Sequence, residues 1–402
     1  MRTLCKAIMN ESSHTMSKLQ HLHEDAQTWR RDIHKYPELG FQEDRTADKV
    51  AGLLTEFGLD VHTGIGATGV VGVLKRGAAD QGIGMRADID ALPIQEANSF
   101  EHRSVNDGVF HGCGHDGHTA MLLAAAKHLA ESGEFDGTAY FIFQPSEEDG
   151  RGALAMIEDG LFERFPMKAV YGMHNMPGIP AGHFAVKQGV ITTSEDIFVI
   201  TIKGRGGHAS MPDRTIDPVV IGAEVILALQ TIVSRSVAPK YWGVVSVTEV
   251  LTDGARNVIP SIVTIKGDCR AMSTKTQDLI ETRMREIVAG ISAAHRAEGA
   301  VEYRNDFVVT VNTPDETDAA ISAARKVAGE PAVDPDCPPC SASEDFARML
   351  EVIPGCYIMI GNGLDGHCGT TLHNPNYDLN DDILAVGADY WVALVETQLP
   401  TR

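Results

Sequence analysis

The sequence predicts an α/β protein in which a second, ferredoxin-like domain is inserted into the first. Three observations indicate this fold. Up to about Gly189, apolar strand-like runs alternate with helical patterns, which is typical of a sheet that helices cover on both faces. Residues 191–305 follow a different order, βαββαβ, which is that of the ferredoxin-like fold. After residue 305 the chain returns to a helix–strand–helix pattern.

The elements of the first part follow from periodicity and from turn residues. A helical pattern over 21–37 ends at Pro37, and an amphipathic pattern over 45–58 is closed by Gly58, since proline and glycine end helices. Apolar runs that are typical of strands follow, with further helical stretches between them. The strands are predicted at 70–76, 82–90 and 138–144, and the helices at 118–132 and 150–165.

The inserted part has longer elements. Strands are predicted at 196–206, 241–251, 257–273 and 300–306, and long helices at 217–235 and 276–299. We therefore assign residues 1–190 and 306–402 to one domain and residues 191–305 to the inserted domain. An inserted domain usually acts as a lid or as an association surface, and we expect one of these roles here.

The charge of the chain limits its partners. Its 402 residues include 55 acidic and 34 basic ones, so that the formal net charge is −21. Such a balance repels phosphate backbones and anionic lipid, and we expect neither nucleic acid nor a membrane surface as a partner. The longest apolar runs fall short of the roughly 20 residues that a membrane span needs.

Two further features concern the compartment. The first 20 residues lack the apolar segment of a signal peptide. The seven cysteines are odd in number and follow no framework pattern, which favours reduced thiols. We therefore expect a cytoplasmic protein.

The stretch from His111 to His118, HGCGHDGH, is rich in groups that bind metals. Thiolate and imidazole are donors that zinc and related ions prefer, and glycines let the backbone fold tightly around an ion. We assign Cys113 and His115 as ligands, whereas His111 and His118 are either ligands or residues that orient a ligand. The alternative is a polar loop in which Asp116 or Thr119 caps the following helix.

Two adjacent carboxylates, Glu147 and Glu148, follow the apolar strand at 138–144. Functional groups gather at the carboxyl ends of strands in α/β sheets, and two acids there can divide metal ligation and general-base catalysis between them. A solvated acidic loop is the alternative. His174 and His373 lie in the stretches VYGMHNMP and TTLHNP, and either of them alone would more often be structural.

Three residues of the inserted part are candidates for contact with a substrate. His208 lies in the glycine-rich stretch RGGHAS, and Asn257 and Arg270 flank a predicted strand. The guanidinium of Arg270 can pair with a carboxylate through two hydrogen bonds. The alternatives are an exposed histidine in a glycine turn and an ordinary surface salt bridge.

Two apparent motifs lack the context that their function requires. Residues 64–69 fit G-x-G-x-x-G but precede a strand instead of a helix, which argues against a dinucleotide-binding turn. Cys337 and Cys340 fit C-x-x-C, but there is no second pair for a zinc ribbon, and the helix start of a redox motif is missing.

A series of stretches in order resembles the family of co-catalytic metallopeptidases and amidohydrolases. This family includes hippurate hydrolase, aminoacylases, indole-acetyl-amino-acid hydrolases and carboxypeptidase G. The stretches are RRDIHKYPELGFQE, MRADIDALPIQE, HGCGHDGHTAMLLAAA, FIFQPSEEDGRGALAMIEDGLF, VYGMHNMPG, GRGGHASMP, NVIPSI, SASEDF and LHNPNYDLND. The resemblance runs from about Trp29 to the C-terminus, and it is strongest to the hippurate and auxin-conjugate hydrolase branch.

The resemblance implies a mixed-sheet metallopeptidase catalytic domain, with the inserted domain as a lid and dimerisation unit. It implies two divalent metal ions per subunit, whether zinc, manganese, cobalt or nickel. It also implies a homodimer or a dimer of dimers. By motif match, the metal ligands would be Cys113, His115, Glu148, His174 and His373.

The same match implies roles for other residues. Glu147 would be the general base, and His208 of the partner subunit would stabilise the oxyanion. Asn257 and Arg270 would hold the α-carboxylate of the substrate. The wider family carries His-x-Asp in the strand before the cysteine motif, with that histidine as a ligand. This chain has Arg86-Ala87-Asp88 there, a departure that the hippurate branch shares.

The implied reaction is hydrolysis of the amide bond of N-acyl amino acids such as hippurate, which releases a carboxylic acid and a free amino acid. A dipeptidase or carboxypeptidase that acts on short peptides would use the same residues and is the main alternative. A catalytically inactive binding protein on the same scaffold is a third hypothesis, and the intact Glu147–Glu148 pair argues against it.

Overall fold

The computed structural model describes residues 19–401. Most of the first 20 residues lie outside this range, and the prediction that they contain no signal peptide concerns that part of the chain. The helices are α1 (His23–Lys35), α2 (Asp44–Glu56), α3 (His115–Ser132), α4 (Gly152–Glu158), α5 (Leu161–Arg164), α6 (Pro218–Thr231), α7 (Thr274–Ala294), α8 (Pro314–Ala328), α9 (Ala347–Leu350) and α10 (Leu384–Gln398). The strands are β1 (Asp60–Ile65), β2 (Gly69–Arg76), β3 (Gly82–Asp88), β4 (Gly137–Gln144), β5 (Ala169–Pro177), β6 (Phe184–Ala185), β7 (Gly189–Thr192), β8 (Glu195–Lys203), β9 (Gly207–His208), β10 (Gly243–Thr252), β11 (Val258–Ile259), β12 (Ile262–Ala271), β13 (Glu298–Phe307), β14 (Thr310–Asn312), β15 (Val333–Asp334) and β16 (Gly355–Gly363).

The larger sheet has eight strands in the order β1-β2-β4-β3-β5-β16-β6-β15. Its centre, β4-β3-β5-β16, is parallel, whereas the pairs β1–β2, β2–β4 and β16–β6 are antiparallel. Strands β3 and β4 are buried along their whole length, as expected for parallel strands that are covered on both faces. The predicted α/β fold with a mixed sheet is confirmed.

The side chains of the central strands alternate between two hydrophobic clusters. In β4, Phe141 and Phe143 belong to the cluster that also contains residues of α3 and α10. Tyr140 and Ile142 belong to the other cluster, with residues of α4 and α9. This alternation follows from the two-residue period of a strand. Helices therefore cover both faces of the sheet. The carboxyl ends of its parallel strands can be reached only from the edge at which these strands end.

The second sheet has four strands in the order β10-β12-β8-β13, and all its pairs are antiparallel. With α6 and α7 between the strands along the chain, this is the ferredoxin-like order. One face is buried against the two helices through residues such as Phe198, Ile265 and Met284. Strands β7 and β14 pair with each other beside this unit. The division at 190/191 and 305/306 stays a prediction.

Helix α6 has an exposed apolar face in addition to its buried one. Ile221, Val225 and Leu229 are buried against the four-stranded sheet, whereas Leu227 is 73% exposed and Val220 54%. By length and composition alone, the 19-residue helical stretch Pro218–Ser236 could cross a membrane. The apolar runs in the sequence had not indicated a stretch of this length. Since one side of α6 packs on a sheet, we interpret its other side as a protein surface.

Candidate metal and catalytic site

The candidate site lies at the carboxyl edge of the parallel strands. Asp88 is the last residue of β3, Glu147 and Glu148 follow β4, and His174 lies near the end of β5. His115 is the first residue of α3, whose N-terminus faces the same edge. The carboxyl ends of parallel strands meet at one edge of an α/β sheet, so residues far apart in sequence come together there.

The structure brings the five predicted ligands close to one another. The Nε2 atom of His174 lies 3.4 Å from the Sγ atom of Cys113. Oxygen atoms of Glu148 lie 3.8 Å from His115 Nε2 and 3.5 Å from His373 Nε2. Two sets of three have ligand atoms within 4.8 Å of one another, namely Cys113–His115–His174 and Cys113–Glu148–His373. Cys113 belongs to both sets, as a ligand shared between two ions would.

Two atoms of this cluster indicate that a cation fits. Among the described residues, His115 Nε2 and Glu148 Oε1 are buried and have no hydrogen-bond partner. Leaving such a group unpaired costs about 1–3 kcal/mol, a cost that coordination to an ion would remove. Burial and the charges of Glu148 and Glu147 raise the pKa of Cys113 well above its usual value, and burial raises the pKa of Glu148 to about 8. A divalent cation would reverse both effects by favouring the ionised forms.

The proposed histidine ligands are oriented through their other ring nitrogen. His115 Nδ1 lies 2.9 Å from the carbonyl oxygen of Asp90, and His174 Nδ1 lies 2.6 Å from that of Asn175. A hydrogen bond from Nδ1 leaves Nε2 free to bind an ion. His118 differs, because both of its nitrogens are engaged, by Asp88 at 2.6 Å and by Asn175 at 2.7 Å. Ligand atoms of Asp88, His115 and His118 also lie within 4.8 Å of one another, but because both nitrogens of His118 are engaged, we interpret it as a residue that orients the cluster.

The alternative interpretation of HGCGHDGH as a capping loop is wrong. The N-cap of α3 is Gly114, and no side chain caps this helix. Asp116 is fully buried and accepts hydrogen bonds from Arg30 and His34 instead. Gly114 has a φ of 97° and lies so close to Asn175 that an added Cβ would be 2.2 Å from its Oδ1. Glycine is therefore required where the loop turns into the helix.

His111 lies against the ring of His34, with the ring centroids 6.2 Å apart, and has no assigned role. It is 1% exposed, and neither ring nitrogen has a hydrogen-bond partner among residues 19–401. It appears in none of the groups of three possible ligands in that part of the chain.

Glu147 lies beside two acids of the stretch SASEDF, Glu344 and Asp345, for which no role was predicted. One oxygen atom each of Glu147, Glu344 and Asp345 lie within 4.8 Å of one another, and all three residues are buried. Burial, followed by the charges of Glu344 and Glu148, raises the pKa of Glu147 well above its usual value. The one sequence signal for this second pair is that two acids are adjacent, as in Glu147–Glu148, but the residues before it, CPPCSAS, do not form a strand-like run.

Arg86 compensates the negative charge of this second group. It is fully buried, and its guanidinium lies 2.8 Å from Asp88, 2.9 Å from Glu344 and 2.9 Å from Asp345. This is the position at which the wider family has a histidine ligand. A guanidinium has no lone pair to offer a metal, so Arg86 acts here as a fixed counter-charge.

The three residues predicted to contact substrate lie in and beside the four-stranded sheet. Within the described chain, no hydrogen bond or ion pair joins His208 to Glu147; His208 is exposed and its Nδ1 pairs with Ser210. The backbone oxygen of Asn257 accepts from Ala209, which places Asn257 next to His208. The structure thus brings His208 and Asn257 together, but not against the metal cluster.

Arg270 is engaged within its own sheet and by one loop of the larger unit. Its guanidinium lies 2.8 Å from Glu195 and 3.0 Å from Asp268, and it donates to the hydroxyl of Ser343. Ser343 directly precedes Glu344, so Arg270 contacts the chain neighbour of the acids beside Glu147.

Buried sulfur, imidazole and carboxylate donors at the edge of a mixed sheet, next to an inserted antiparallel domain, define the class of α/β metallopeptidases and amidohydrolases. Residues 84–397 match the model of peptidase family M20/M25/M40. The chain belongs to this family, and it is a hydrolase.

Curated relatives include hydrolases of acylated amino acids. The chain is 44% identical to the hippurate hydrolase of Campylobacter jejuni over 91% of its length and 94% of the relative's. It is 36% identical to the N-acetylcysteine deacetylase of Bacillus subtilis over 92% and 96%. Among solved structures, the YXEP protein of Bacillus subtilis, a dinuclear metal-binding peptidase from the M20 family, matches with a TM-score of 0.82 and 32% identity. That match covers 95% of this chain and 99% of the other.

Proposed function

We propose that this enzyme hydrolyses the amide bond of N-acyl amino acids of the hippurate type. One observation carries the proposal: the buried carboxylate of Glu147 lies at the donor cluster, with its Oε2 atom 3.9 Å from Nε2 of His115. A base in that place can act on a water molecule held at the same cluster. The similarity to a hippurate hydrolase along nearly the whole chain supports this substrate class.

The ligands of two divalent ions would be Cys113, His115, Glu148, His174 and His373. Zinc, manganese, cobalt and nickel all accept this mixture of sulfur, nitrogen and oxygen donors. Bound divalent cations supply Lewis-acid polarisation of the amide carbonyl.

The residues of the chain then divide the remaining work. Glu147 removes a proton from the attacking water at its carboxylate oxygen and returns it to the departing nitrogen. His208 donates a hydrogen bond to the oxygen on which negative charge develops. Arg270 and Asn257 hold the free carboxylate of the amino acid, for which Arg270 exchanges its contact with Glu195 for the substrate.

A homodimer, or a dimer of such dimers, fits the exposed apolar surface of the inserted unit. This surface comprises Leu227 and Val220 of α6 together with Val250 and Leu251 of the edge strand β10, which are 46–73% exposed. Large exposed apolar groups can mark association surfaces, and an unpaired edge strand can pair with its copy. We further propose that the enzyme acts in the cytoplasm on small molecules.

A direct comparison of substrates tests the proposal. The purified enzyme, loaded with Zn²⁺ or Mn²⁺, is given hippurate, N-acetyl amino acids, long-chain acyl amino acids and dipeptides with a free amine. We expect kcat/KM for at least one acyl amino acid to exceed that for the dipeptides by at least about ten-fold, because a neutral acyl group enters the site without the cost of desolvating a charged amine. A preference for dipeptides would replace the proposal with the peptidase alternative, and no turnover of either class would reject both.

A further inference from the structure

A buried arginine of the first helix lies between two chain segments that carry proposed metal ligands. The side chain of Arg30 is fully buried, and its Nε atom lies 2.7 Å from Oδ2 of Asp116. Its Nη2 atom pairs with Asp378, and its Nη1 atom lies 3.3 Å from Oδ1 of Asp381. One guanidinium thus joins the start of α3 to the segment that follows His373.

Both segments lead directly to proposed ligands. Asp116 follows His115 in the first turn of α3, and Asp378 lies in the same LHNPNYDLND stretch as His373. The backbone N–H of His373 donates to the carbonyl oxygen of Gly112 at 2.8 Å, so the two segments also touch at the cluster itself. A change in the contacts of Arg30 would therefore affect the positions of both segments, and with them the proposed ligands on both sides of the site.

His373 depends on its segment for its position. Its φ is 63°, in the left-handed region that a residue other than glycine adopts only when the surroundings hold it there. Its side chain is 50% exposed, so packing of the ring does not fix it. The residues that follow His373 hold its segment in place through their contacts. Among these residues, Asp378 and Asp381 both contact Arg30.

The chemistry of the contact argues for a positional role. Burying a guanidinium and several carboxylates is costly, and a well-packed apolar group of similar volume would often give equal stability. Here the buried group is charged instead. His34 of the same helix belongs to it as well, because its Nδ1 atom lies 2.8 Å from Asp116. The planar fork of arginine fixes direction as well as distance, which lysine cannot do.

We propose that Arg30 is a positioning residue of the metal site, which holds the His115 segment and the His373 segment at the separation that the bound ions require. The proposal rests on the metal centre of the proposed function but not on its substrate. It therefore stands or falls independently of which amide the enzyme cleaves.

The test measures affinity for Zn²⁺ alone, in competition with a chromogenic chelator. We expect Arg30→Gln and Asp378→Asn each to raise the Zn²⁺ dissociation constant by about 10–100-fold, the usual effect of removing a group that orients ligands. The matched control is Arg31→Gln. Arg31 is the next residue, is 45% exposed and pairs with Asp381 from the surface, so its loss should change affinity by less than about two-fold.

Two further measurements separate positioning from general stability. Circular dichroism and the melting temperature of each variant in EDTA report whether the metal-free protein is folded, and Arg30→Lys should restore folding more fully than Zn²⁺ affinity. If Arg30→Gln does not fold, Asp378→Asn decides, because it removes one contact and leaves that with Asp116. Folded Arg30→Gln or Asp378→Asn protein that binds Zn²⁺ as tightly as the wild type would overturn the proposal.

Discussion

The Nε2 atom of His174 lies 3.4 Å from the Sγ atom of Cys113. Two ligands placed about 2.1 and 2.3 Å from one tetrahedral ion are roughly 3.6 Å apart, so this separation is what a shared zinc-like ion needs. The two residues come from the loop before α3 and from β5, and the mixed sheet alone brings them together. The pair therefore allows a test of the site that does not require a substrate.

Replacing Cys113 with alanine should remove metal. In the metal-free protein, burial holds the pKa of this thiol well above its usual value, so the metal must displace a proton to bind the thiolate. We expect Cys113→Ala to lose at least one ion per subunit by atomic spectrometry, and wild-type affinity to fall as the pH is lowered. Buried Cys269, in the four-stranded sheet, provides the control Cys269→Ala. Full metal content in Cys113→Ala would show that the thiol is not a ligand.

Glu147→Gln should leave the metal in place and remove activity. The amide cannot accept the proton of the attacking water, and the loss of a general base costs about 10²-fold or more in kcat. Glu148→Gln is the matched comparison, because the adjacent residue is a proposed ligand and its variant should lose metal as well as rate. Near-normal turnover by Glu147→Gln would mean that another group, such as the neighbouring acid Glu344 or Asp345, acts as the base.

The sequence predicted those parts of the site that lie within short motifs. The cysteine and histidines of HGCGHDGH and the acids after β4 could be assigned because each motif combines several donors, and the structure clusters them. Glu344 and Asp345 were not assigned, because nothing in the sequence shows that their loop lies against β4. The sequence left a capping loop open as an alternative at Asp116, because its buried partner Arg30 lies 86 residues away and no local pattern indicates that contact.

The fold was more predictable than the contacts between its parts. Strand and helix patterns predicted the order of elements along the inserted part and three central strands of the larger sheet, because hydrophobic periodicity is a local property. The exposed face of α6 escaped notice, since a helix that is apolar on two sides has little amphipathic signal. His208 acts either in the active site of a partner subunit or in its own active site after a domain movement. Neither arrangement can be predicted from a local sequence pattern.

Arg270→Ala should weaken substrates that carry a free α-carboxylate. If the ion pair with substrate is desolvated, the loss corresponds to about 2–5 kcal/mol in kcat/KM. Amidated analogues, which lack that carboxylate, should be affected far less, and a comparison of hippurate with its amide measures the difference. Equal losses on both would mean that Arg270 serves only its pairs with Glu195 and Asp268.

Asp378→Asn should destabilise the metal-free protein at neutral pH but not in acid. Burial alone would raise the pKa of Asp378, but the charge and hydrogen bond of Arg30, together with a hydrogen bond from His102 and the charge of His34, outweigh burial and lower the pKa to about 2. A lowered pKa in the folded state stabilises the protein above the unfolded value of about 3.9, and this contribution of about 2.6 kcal/mol is lost as the pH falls towards and below 2. Urea unfolding in EDTA from pH 7 down to about pH 2 should show the stability difference between the variant and the wild type becoming smaller, to about half its neutral value near pH 3. Exposed Asp382 gives the control Asp382→Asn, and a difference that does not change with pH would contradict the ion pair.

Subunit mixing should show whether His208 acts in the active site of its partner. In its own chain His208 is exposed and has no contact with Glu147 in the described residues, which a site completed by the second copy of a dimer would explain. Inactive Glu147→Ala and His208→Ala proteins are mixed until their subunits exchange. Random pairing makes about half the dimers mixed, and each mixed dimer would have one site with both lesions and one intact site, so about a quarter of all sites should regain activity. If His208 serves its own subunit, every site keeps one lesion. A mixture that stays inactive after exchange has been verified by mass spectrometry would therefore place His208 in its own active site, reached by closure of the inserted unit.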